Sequence, residues 1–430
     1  MEEKEMYSGY RWLMLLATCI AVMSCYIDMI AYAPILGEIA KGMQLDMGAA
    51  TNLMMGFVLA TACVLIWGGT VSDKYGITFA QVLGLLCATV PATFMPWIGH
   101  SYGPVFVSRL IQGASVGFVF ATIGPVMALW FPPKQQGIAG GLMIGSLAVG
   151  SAIGVVTSPA VYGATGSWQT TVAILSLLGW VAIIFSLIVT RRPPSAKVVE
   201  AVTQVMQSAA GKLTFGQALK LPVTWIGSFM MVCNAWGLYC LYNLVPPYLA
   251  APAPMGIGMG PGKAGALSLA VTVIGIFAMI LGGVFFDKVT KGKAKPAIII
   301  GFVLTGVFTY LILSPGVYSS MGLLVICLLI AGWGVPFQNP SVSAFIAMNY
   351  PPNIVGSMVG WWFGFATFGG ALGLYLGGKS IAATGSFHLA ITMISLACIA
   401  GLILSFFVKP RRERGTRQVC LYRLLSLRPS

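Results

Sequence analysis

Two ionisable side chains lie deep inside apolar segments of this sequence, where a charged group is costly and is usually retained for function. Asp28 lies about 17 residues, roughly 25 Å, into the first segment, and Arg109 lies about 7 residues, roughly 10 Å, into the fourth. If the chain begins on the inner side, both residues lie at similar depth in the outer half. We therefore expect Asp28 and Arg109 to meet, with Asp28 taking up or releasing a proton or with the two residues responding to a bound solute. A purely structural buried ion pair, or no contact at all, are the alternatives.

The composition of the 430-residue chain excludes a soluble domain, because 58% of its residues are hydrophobic and only 8% are charged, against about 25% charged in soluble proteins. Its apolar runs are about 20 residues long, which suits helices across a bilayer core. We therefore predict an all-α membrane protein, because lipid offers no hydrogen-bond partners to backbone groups and a helix satisfies these groups within the segment. The twelve predicted spans are roughly 11–33, 48–69, 77–98, 102–128, 136–162, 169–190, 222–249, 264–286, 295–314, 319–347, 355–378 and 386–408.

The longest polar stretch separates the spans into two groups of six, which predicts the domain organisation. We expect an N-terminal six-helix bundle over 1–190 and a C-terminal six-helix bundle over 222–408. A cytoplasmic linker over 191–221 joins them, and a basic cytoplasmic tail covers 409–430.

The distribution of Lys and Arg predicts the orientation. With the N-terminus inside, only Lys41, Lys263 and Lys379 lie outside and Arg109 lies within a span, so all other Lys and Arg residues face the cytoplasm. The net charge of +14 therefore indicates topology and contact with lipid headgroups, and we expect no nucleic-acid partner. We predict a monomer in the inner (cytoplasmic) membrane, or an invagination of it, with both termini cytoplasmic.

Two repeated patterns indicate that the chain consists of two related halves. A short loop with glycine four residues before an Asp-Lys pair occurs at 69–76 and again at 283–288, and residues 131–167 align with 350–386. Six helices in each half, both starting inside, predict parallel repeats related by a pseudo-two-fold axis along the membrane normal. Small residues form a stripe on the fifth and eleventh spans, and we expect these two helices to meet helices of the opposite half, with ordinary tight helix packing as the alternative. The glycines of the stripe are Gly141, Gly145, Gly150, Gly154, Gly356, Gly360, Gly364, Gly369 and Gly373.

Three segments resemble the major facilitator superfamily of secondary transporters. They are the loop 69–76, the run Arg109-Leu110-Ile111-Gln112-Gly113 with Gly117, and the run Trp130-Phe131-Pro132-Pro133-Lys134-Gln135-Gln136-Gly137. The third is especially similar to members that move small anions. The resemblance covers about 11–408 and implies two six-helix bundles that rock around a central cavity. It implies gating by Gly69, Asp73, Lys74, Gly76, Gly283, Asp287 and Lys288.

The two copies of the loop differ at one position. Gly76 closes the first copy, whereas Thr290 stands at the equivalent place in the second. We therefore expect the first gate to be the stricter one, so that a change in its loop impairs function more than the same change in the second loop.

The seventh and tenth spans carry polar and aromatic residues beside prolines and glycines, which indicates a substrate site. Prolines and glycines free backbone groups, and a membrane tolerates these only where a cavity or a neighbour satisfies them. The alternative for each aromatic residue alone is a packing or lipid-facing position. The predicted substrate-binding residues are Arg109, Asn234, Trp236, Tyr239, Tyr242, Asn243, Gln338, Asn339 and Trp361.

Arg109 is the only basic residue predicted in the core of a span, which limits the charge of a bound anion. Nitrate and nitrite carriers of the superfamily that this chain resembles have arginines in the second and eighth helices, and this chain has none there. We predict a secondary active transporter of a small solute, foremost a monovalent organic anion, with a proton as the coupling ion. A polar neutral solute also fits.

Two other functions stay open. One is transport of iron or another metal ion or chelate, as proposed for similar proteins of magnetosome membranes. The other is a sensor or scaffold that no longer transports. We expect neither an enzyme nor a cofactor, and no set of metal ligands.

Overall fold

A computed structural model of the chain describes residues 8–196, 198–200 and 213–409. The predicted tail beyond Lys409 and the segment 201–212 of the predicted linker lie outside the described residues. Side chains at 69, 70, 73, 133, 134, 136–138, 287, 352 and 353 also lie outside them.

The apolar segments form helices, because a helix satisfies its backbone groups within the segment. The first half contains α1 (Arg11–Ile30), α2 (Leu36–Gly42), α3 (Met47–Thr93), α4 (Met95–Ile98), α5 (Tyr102–Ala121), α6 (Ile123–Trp130), α7 (Pro133–Thr165), α8 (Trp168–Leu175) and α9 (Leu177–Val189). The second half contains α10 (Phe215–Ala218), α11 (Pro222–Ala250), α12 (Gly260–Val284), a π-helical turn (Phe285–Val289), α13 (Ala294–Leu311), α14 (Pro315–Tyr318), α15 (Met321–Asn349), α16 (Pro352–Thr384) and α17 (His388–Phe407).

Among the described residues, eleven helical stretches are long and apolar enough to cross a membrane. The remaining predicted span, the seventh in chain order, corresponds to α11, which has 29 residues but is not among the eleven. Asn234, Asn243 and the pair Pro246 and Pro247 lie within it. The helix packs against α12, α16 and α17, so its polar groups face protein. Packing against other helices thus accommodates the polar side chains and prolines of this span.

Of the nine repeated glycines, four pack within their own half, one meets the opposite half and four meet nothing within 4 Å. The helices that carry them do meet the opposite half, as expected, since α7 contacts α12 and α16 contacts α3. Gly150 of α7 lies against the main chain of Met23 in α1, and its counterpart Gly369 of α16 lies against Val232 in α11. At both positions a Cβ would overlap a main-chain oxygen, so glycine permits the close approach. Of these glycines, Gly364 does face the opposite half. The same contact in both halves supports the internal repeat.

The two halves meet on the side of the membrane away from the start of α1, which we term the far side. A Cβ on Gly378 in α16 would lie 2.9 Å from the main-chain oxygen of Gly48 in α3. On the same side, a Cβ on Gly265 in α12 would lie 3.1 Å from the main-chain oxygen of Val155 in α7. Closer to the near side, a Cβ would meet nothing within 4 Å at Gly141, Gly145, Gly356 or Gly360.

The first copy of the duplicated loop turns at Gly76. This residue has φ 86° and ψ 168°, which glycine adopts without strain, and it divides α3 into two helical stretches. Lys74 is exposed, with its Nζ 5.2 Å from the centre of the Tyr75 ring. The surroundings of Gly69 and the side chain of Asp73 lie outside what the structure describes.

The second copy turns one to two residues later. The chain passes through the π-helical turn and reaches positive φ only at Lys291 (51°) and Gly292 (83°). Thr290 is buried and remains helical, its hydroxyl donating to the main-chain oxygen of Phe286. Gly283 is half-buried and Lys288 is exposed, while the side chain of Asp287 lies outside the described residues.

Candidate functional site

The end of α1 brings Arg109 and Asp28 together through the main chain. One terminal nitrogen of the Arg109 guanidinium donates to the main-chain oxygen of Asp28 at 3.0 Å, and the other donates to that of Met29 at 3.1 Å. The Arg109 Nε donates to the main-chain oxygen of Leu53 at 3.3 Å. A single side chain on α5 therefore joins α1 and α3.

This arrangement follows from the position at which α1 ends. The last carbonyls of a helix have no partner inside it, and α1 ends at Ile30, two residues after Asp28. The carbonyls that flank Asp28 and Met29 accept hydrogen bonds from the turn that follows, so these two remain for Arg109. A cation at this end also meets the negative pole of the helix dipole. Arg109 thus caps α1.

Arg109 is enclosed, with an exposed fraction of 0%. Its guanidinium carbon lies 4.1 Å from the centre of the Tyr32 ring and 4.5 Å from that of Phe57, distances at which rings attract a cation. A terminal nitrogen also donates to Gln112 Oε1 at 2.9 Å. Gly113 lies against the Phe57 main chain and allows α3 to approach. The cation is therefore closed to a solute in this conformation.

The carboxyl group of Asp28 is buried but is not paired with Arg109. Asp28 is 3% exposed, and its Oδ2 has no hydrogen-bond partner among the described residues. In the described part of the chain, the one ion pair joins Lys41 to Glu38 at 3.1 Å. The interpretation of Asp28 and Arg109 as a buried ion pair is therefore wrong, because the guanidinium binds main-chain oxygens. A charge on this carboxyl is costly, so the group is suited to bind a proton.

Two predicted substrate residues on different helices do come together. Asn234 Nδ2 on α11 donates to Asn339 Oδ1 on α15 at 3.1 Å. They lie about 12 and 10 residues, or roughly 18 and 15 Å, from the near-side ends of their helices, which places them near the membrane centre. Because an amide has both donor and acceptor atoms, this pair keeps capacity to bind a solute.

Three of the predicted aromatic substrate-binding residues lie on α11 at different depths in the membrane. Trp236 and Tyr239 pack against Gly373 and Gly370 of α16, and the Trp236 Nε1 has no partner among the described residues. Tyr242 lies closer to the far side, where it lines a cavity of about 10 Å³, enough for about one water. Little empty space therefore remains beside Tyr242 where the two halves meet on the far side.

Two of the predicted substrate-binding residues, Asn243 and Gln338, contact their own helix or a neighbouring helix. Asn243 Nδ2 donates to the main-chain oxygen of Tyr239, one turn earlier in α11, at 2.7 Å. Gln338 is fully buried against α13, where a Cβ on Gly301 would lie 3.0 Å from its Cδ. The geometry therefore does not bring either residue to the Asn234–Asn339 pair.

Trp361 belongs to an aromatic cluster on α11 and α16. Its ring centre lies 5.6 Å from that of Phe365 and 5.7 Å from that of Trp225. Phe215 of α10 completes one side of this cluster at 6.2 Å. Trp361 is thus surrounded by rings near the start of α11.

Sequence reasoning missed Tyr32 and Gln112 as neighbours of Arg109. Gln112 follows Arg109 by three residues, a spacing that places two side chains on one helix face, so that interval would have identified Gln112. Tyr32 lies in the turn beyond the end of α1, so helical spacing does not identify it. Among the described residues, no three His, Cys, Asp or Glu side chains are grouped so that they could hold a metal ion.

Comparisons with known proteins agree with this architecture. A family model described as Major Facilitator Superfamily matches residues 18–295 and 257–420. The probable nitrate/nitrite transporter NarK2 of Mycobacterium tuberculosis is 24% identical over 76% of this chain and 78% of its own length. The quinolone resistance protein NorA of Staphylococcus aureus is 24% identical over 90% of this chain and 94% of its own.

Proposed function

This chain belongs to the Major Facilitator Superfamily, and on that premise we propose that it is a secondary transporter coupled to protons through Asp28. Alternating access needs two bundles that rock around a central site. We assign these to 1–190 and 222–408. The far-side contacts at Gly48 and Gly378 then hold the state that is open to the near side.

The observation that carries the proposal is the unpartnered Oδ2 of the buried Asp28. An intramembrane carboxyl is costly, and in transporters such groups relay protons. Because Arg109 uses its donors on main-chain oxygens, it does not hold the carboxyl in one ionised geometry. Protonation can therefore change as the bundles move and water reaches the residue.

Arg109 serves this mechanism by fixing the end of α1. The guanidinium bonds the carbonyl of the same residue whose carboxyl would titrate. Movement of α5 against α1 therefore moves the surroundings of Asp28 directly. Since Arg109 is enclosed, we assign it to positioning and not to direct contact with the solute in this state.

The cargo that we propose is a small organic solute with at most a single negative charge. The neutral amides of Asn234 and Asn339, with Trp236 and Tyr239 beside them on α11, supply hydrogen bonds and aromatic surface. A monovalent organic anion remains the first candidate, because a proton bound at Asp28 would cancel its charge during symport. NarK2 and NorA are named for different solutes, so their likeness does not select between anionic and other cargo.

Orientation and assembly form part of the proposal. The bias of Lys and Arg supports cytoplasmic termini in an inner membrane or an invagination of it, so the near side would face the cytoplasm. We propose a monomer as the transporting unit. No observation among the described residues favours the metal-ion or scaffold alternatives.

Purified protein in liposomes tests this function. A proton gradient would be imposed, and a panel of organic monoanions, neutral polar solutes and organic cations would be offered while internal pH is followed with a dye. We expect accumulation of a monoanion or a neutral solute together with proton entry, absent in empty liposomes. Solute-independent pH traces and no uptake across the whole panel would contradict transport.

A further inference from the structure

The far side of the first half contains an open cleft of about 370 Å³, apart from the Asp28 site. Its walls come from the end of α2, the end of α7 and the start of α8. This volume lies within the range of about 300–1,000 Å³ that small-molecule sites occupy. The lining residues are Glu38, Lys41, Gly42, Tyr162, Gly166, Ser167, Trp168 and Gln169.

An unpartnered hydrogen-bond donor lies in the wall of this cleft. Trp168 is 3% exposed, and its indole Nε1 has no partner among the described residues. A Cβ on Gly42 would lie 3.1 Å from that nitrogen, so the buried N–H lies directly behind Gly42, which has no side chain to fill the space between them. A buried donor without an acceptor is destabilising, and a bound acceptor would remove that cost.

The free hydrogen-bond donors in the cleft favour an acceptor group on the ligand. Both carboxylate oxygens of Glu38 are used, since Lys41 Nζ donates to Oε1 at 3.1 Å and the Tyr162 hydroxyl donates to Oε2 at 3.2 Å. Lys41 is largely exposed and has three donors, of which this ion pair uses one. The unmet groups in the cleft are therefore donors, namely the Lys41 ammonium and the Trp168 indole.

We propose that this cleft binds a small organic carboxylate, whose oxygens accept from Trp168 Nε1 and Lys41 Nζ. The apolar part of the ligand lies against the indole and the backbone at Gly42 and Gly166. Binding here does not require that the bound carboxylate be the transported solute. The cleft adjoins the far-side contact between the two halves, because α2, which forms one of its walls, also contacts α11 of the opposite half.

The cleft has a physical connection to the coupling site. The Trp168 and Tyr32 ring centres are 6.4 Å apart, and the Tyr32 ring lies 4.1 Å from the Arg109 guanidinium. A ligand that reorients Trp168 would therefore press on the residue that stacks against the cap of α1. This contact chain makes the cleft a place from which an external carboxylate can influence transport.

Titration of benzoate into the full-length protein in lipid nanodiscs, followed by calorimetry, tests the site. We expect Trp168→Phe, which removes the N–H and keeps a ring against Tyr32, to raise the Kd about tenfold, as expected for loss of a hydrogen bond to a charged group. Lys41→Gln should raise it about threefold, since exposed charges contribute less. Benzamide, which is isosteric but neutral, should bind at least tenfold more weakly than benzoate.

Matched variants separate this site from others. Trp12→Phe on the near side and Lys263→Gln on the far side but outside the cleft should bind benzoate like the parent. Gly42→Ala, which places a methyl group over the indole N–H without altering Trp168, should reproduce the Trp168→Phe loss even if that variant is unstable. Asp28→Asn should retain benzoate binding, so a failure of proton coupling leaves this result intact. Unchanged affinity in both Trp168→Phe and Gly42→Ala, or no benzoate binding by the parent, would overturn the proposal.

Discussion

Arg109 donates a hydrogen bond to the main-chain oxygen of Asp28 at 3.0 Å, while the carboxyl Oδ2 of Asp28 has no partner in the described part of the chain. The two residues therefore meet without forming an ion pair. Their roles separate accordingly: the arginine fixes the end of α1, and we assign the carboxyl to proton binding. This division accounts for an arginine that is buried completely beside a carboxyl that it does not neutralise directly.

Arg109→Lys should destabilise the protein although it preserves the charge. Lysine lacks the planar fork that reaches Leu53, Asp28 and Met29 at once, so buried carbonyls lose their donors at a cost on the order of 3 kcal/mol. The measurement is thermal unfolding in detergent. Arg192→Lys is the control, because Arg192 stacks on Tyr10 at the surface. Equal midpoints for Arg109→Lys and the parent would show that the cap is dispensable.

Gly378→Ala should loosen the far side. Its Cβ would lie 2.9 Å from the Gly48 oxygen, and overpacking of this kind costs about 1–3 kcal/mol. We expect faster hydrogen exchange at the start of α3 and the end of α16, measured by mass spectrometry. Gly356→Ala, where a Cβ meets nothing within 4 Å, should match the parent. Exchange that is equal in both variants would mean that the glycine contact does not hold the state.

Asn234→Ala and Asn339→Ala should each raise the KM for the solute about tenfold, if the bonded amide pair contacts it, because each loses about 1.4 kcal/mol of binding. The double variant should be little worse than either alone, since one hydrogen bond joins the two residues. Asn243→Ala is the comparison: its amide bonds its own helix, so stability should fall with little change in KM. Uptake kinetics in liposomes give these values. Additive losses in the double variant would argue against a shared site.

The duplicated loops should differ in their sensitivity to charge removal. Gly76 turns the first loop immediately, whereas the second turns at Gly292 after a π-helical turn. We expect Asp73→Asn to impair transport more than Asp287→Asn, measured as initial uptake rates at equal expression. Equal impairment would remove the asymmetry between the gates.

Sequence reasoning located Asp28 and Arg109 because a charge inside an apolar span is conspicuous. It could not locate the end of α1 at Ile30, since the following residues are also apolar. Without that end there is no reason to expect free carbonyls, so the residue types suggest a contact between the two side chains, with an ion pair as one alternative. The partner of Arg109 is thus decided by main-chain geometry, which residue types do not reveal.

The glycine patterns show the same division between what spacing reveals and what it does not. The matching positions of Gly150 and Gly369 identified a repeat, and both make the same kind of contact. Spacing alone does not say which neighbour a smooth helix face meets, so the contact with α1 and α11 within each half was missed. The position of Asn234 and Asn339 was predictable because polar groups inside spans must face protein or a cavity.

Asp28→Asn tests the central claim most directly. The variant should lose uptake driven by a proton gradient but keep solute counterflow, because exchange needs the cavity and the rocking motion but no net proton transfer. Asp46→Asn serves as the control, since Asp46 is an exposed carboxyl that caps α3 and asparagine is an equally good cap. Both activities would be measured on the same liposomes. Loss of gradient-driven uptake with intact counterflow is the predicted result, and gradient-driven uptake equal to that of the parent would contradict the account.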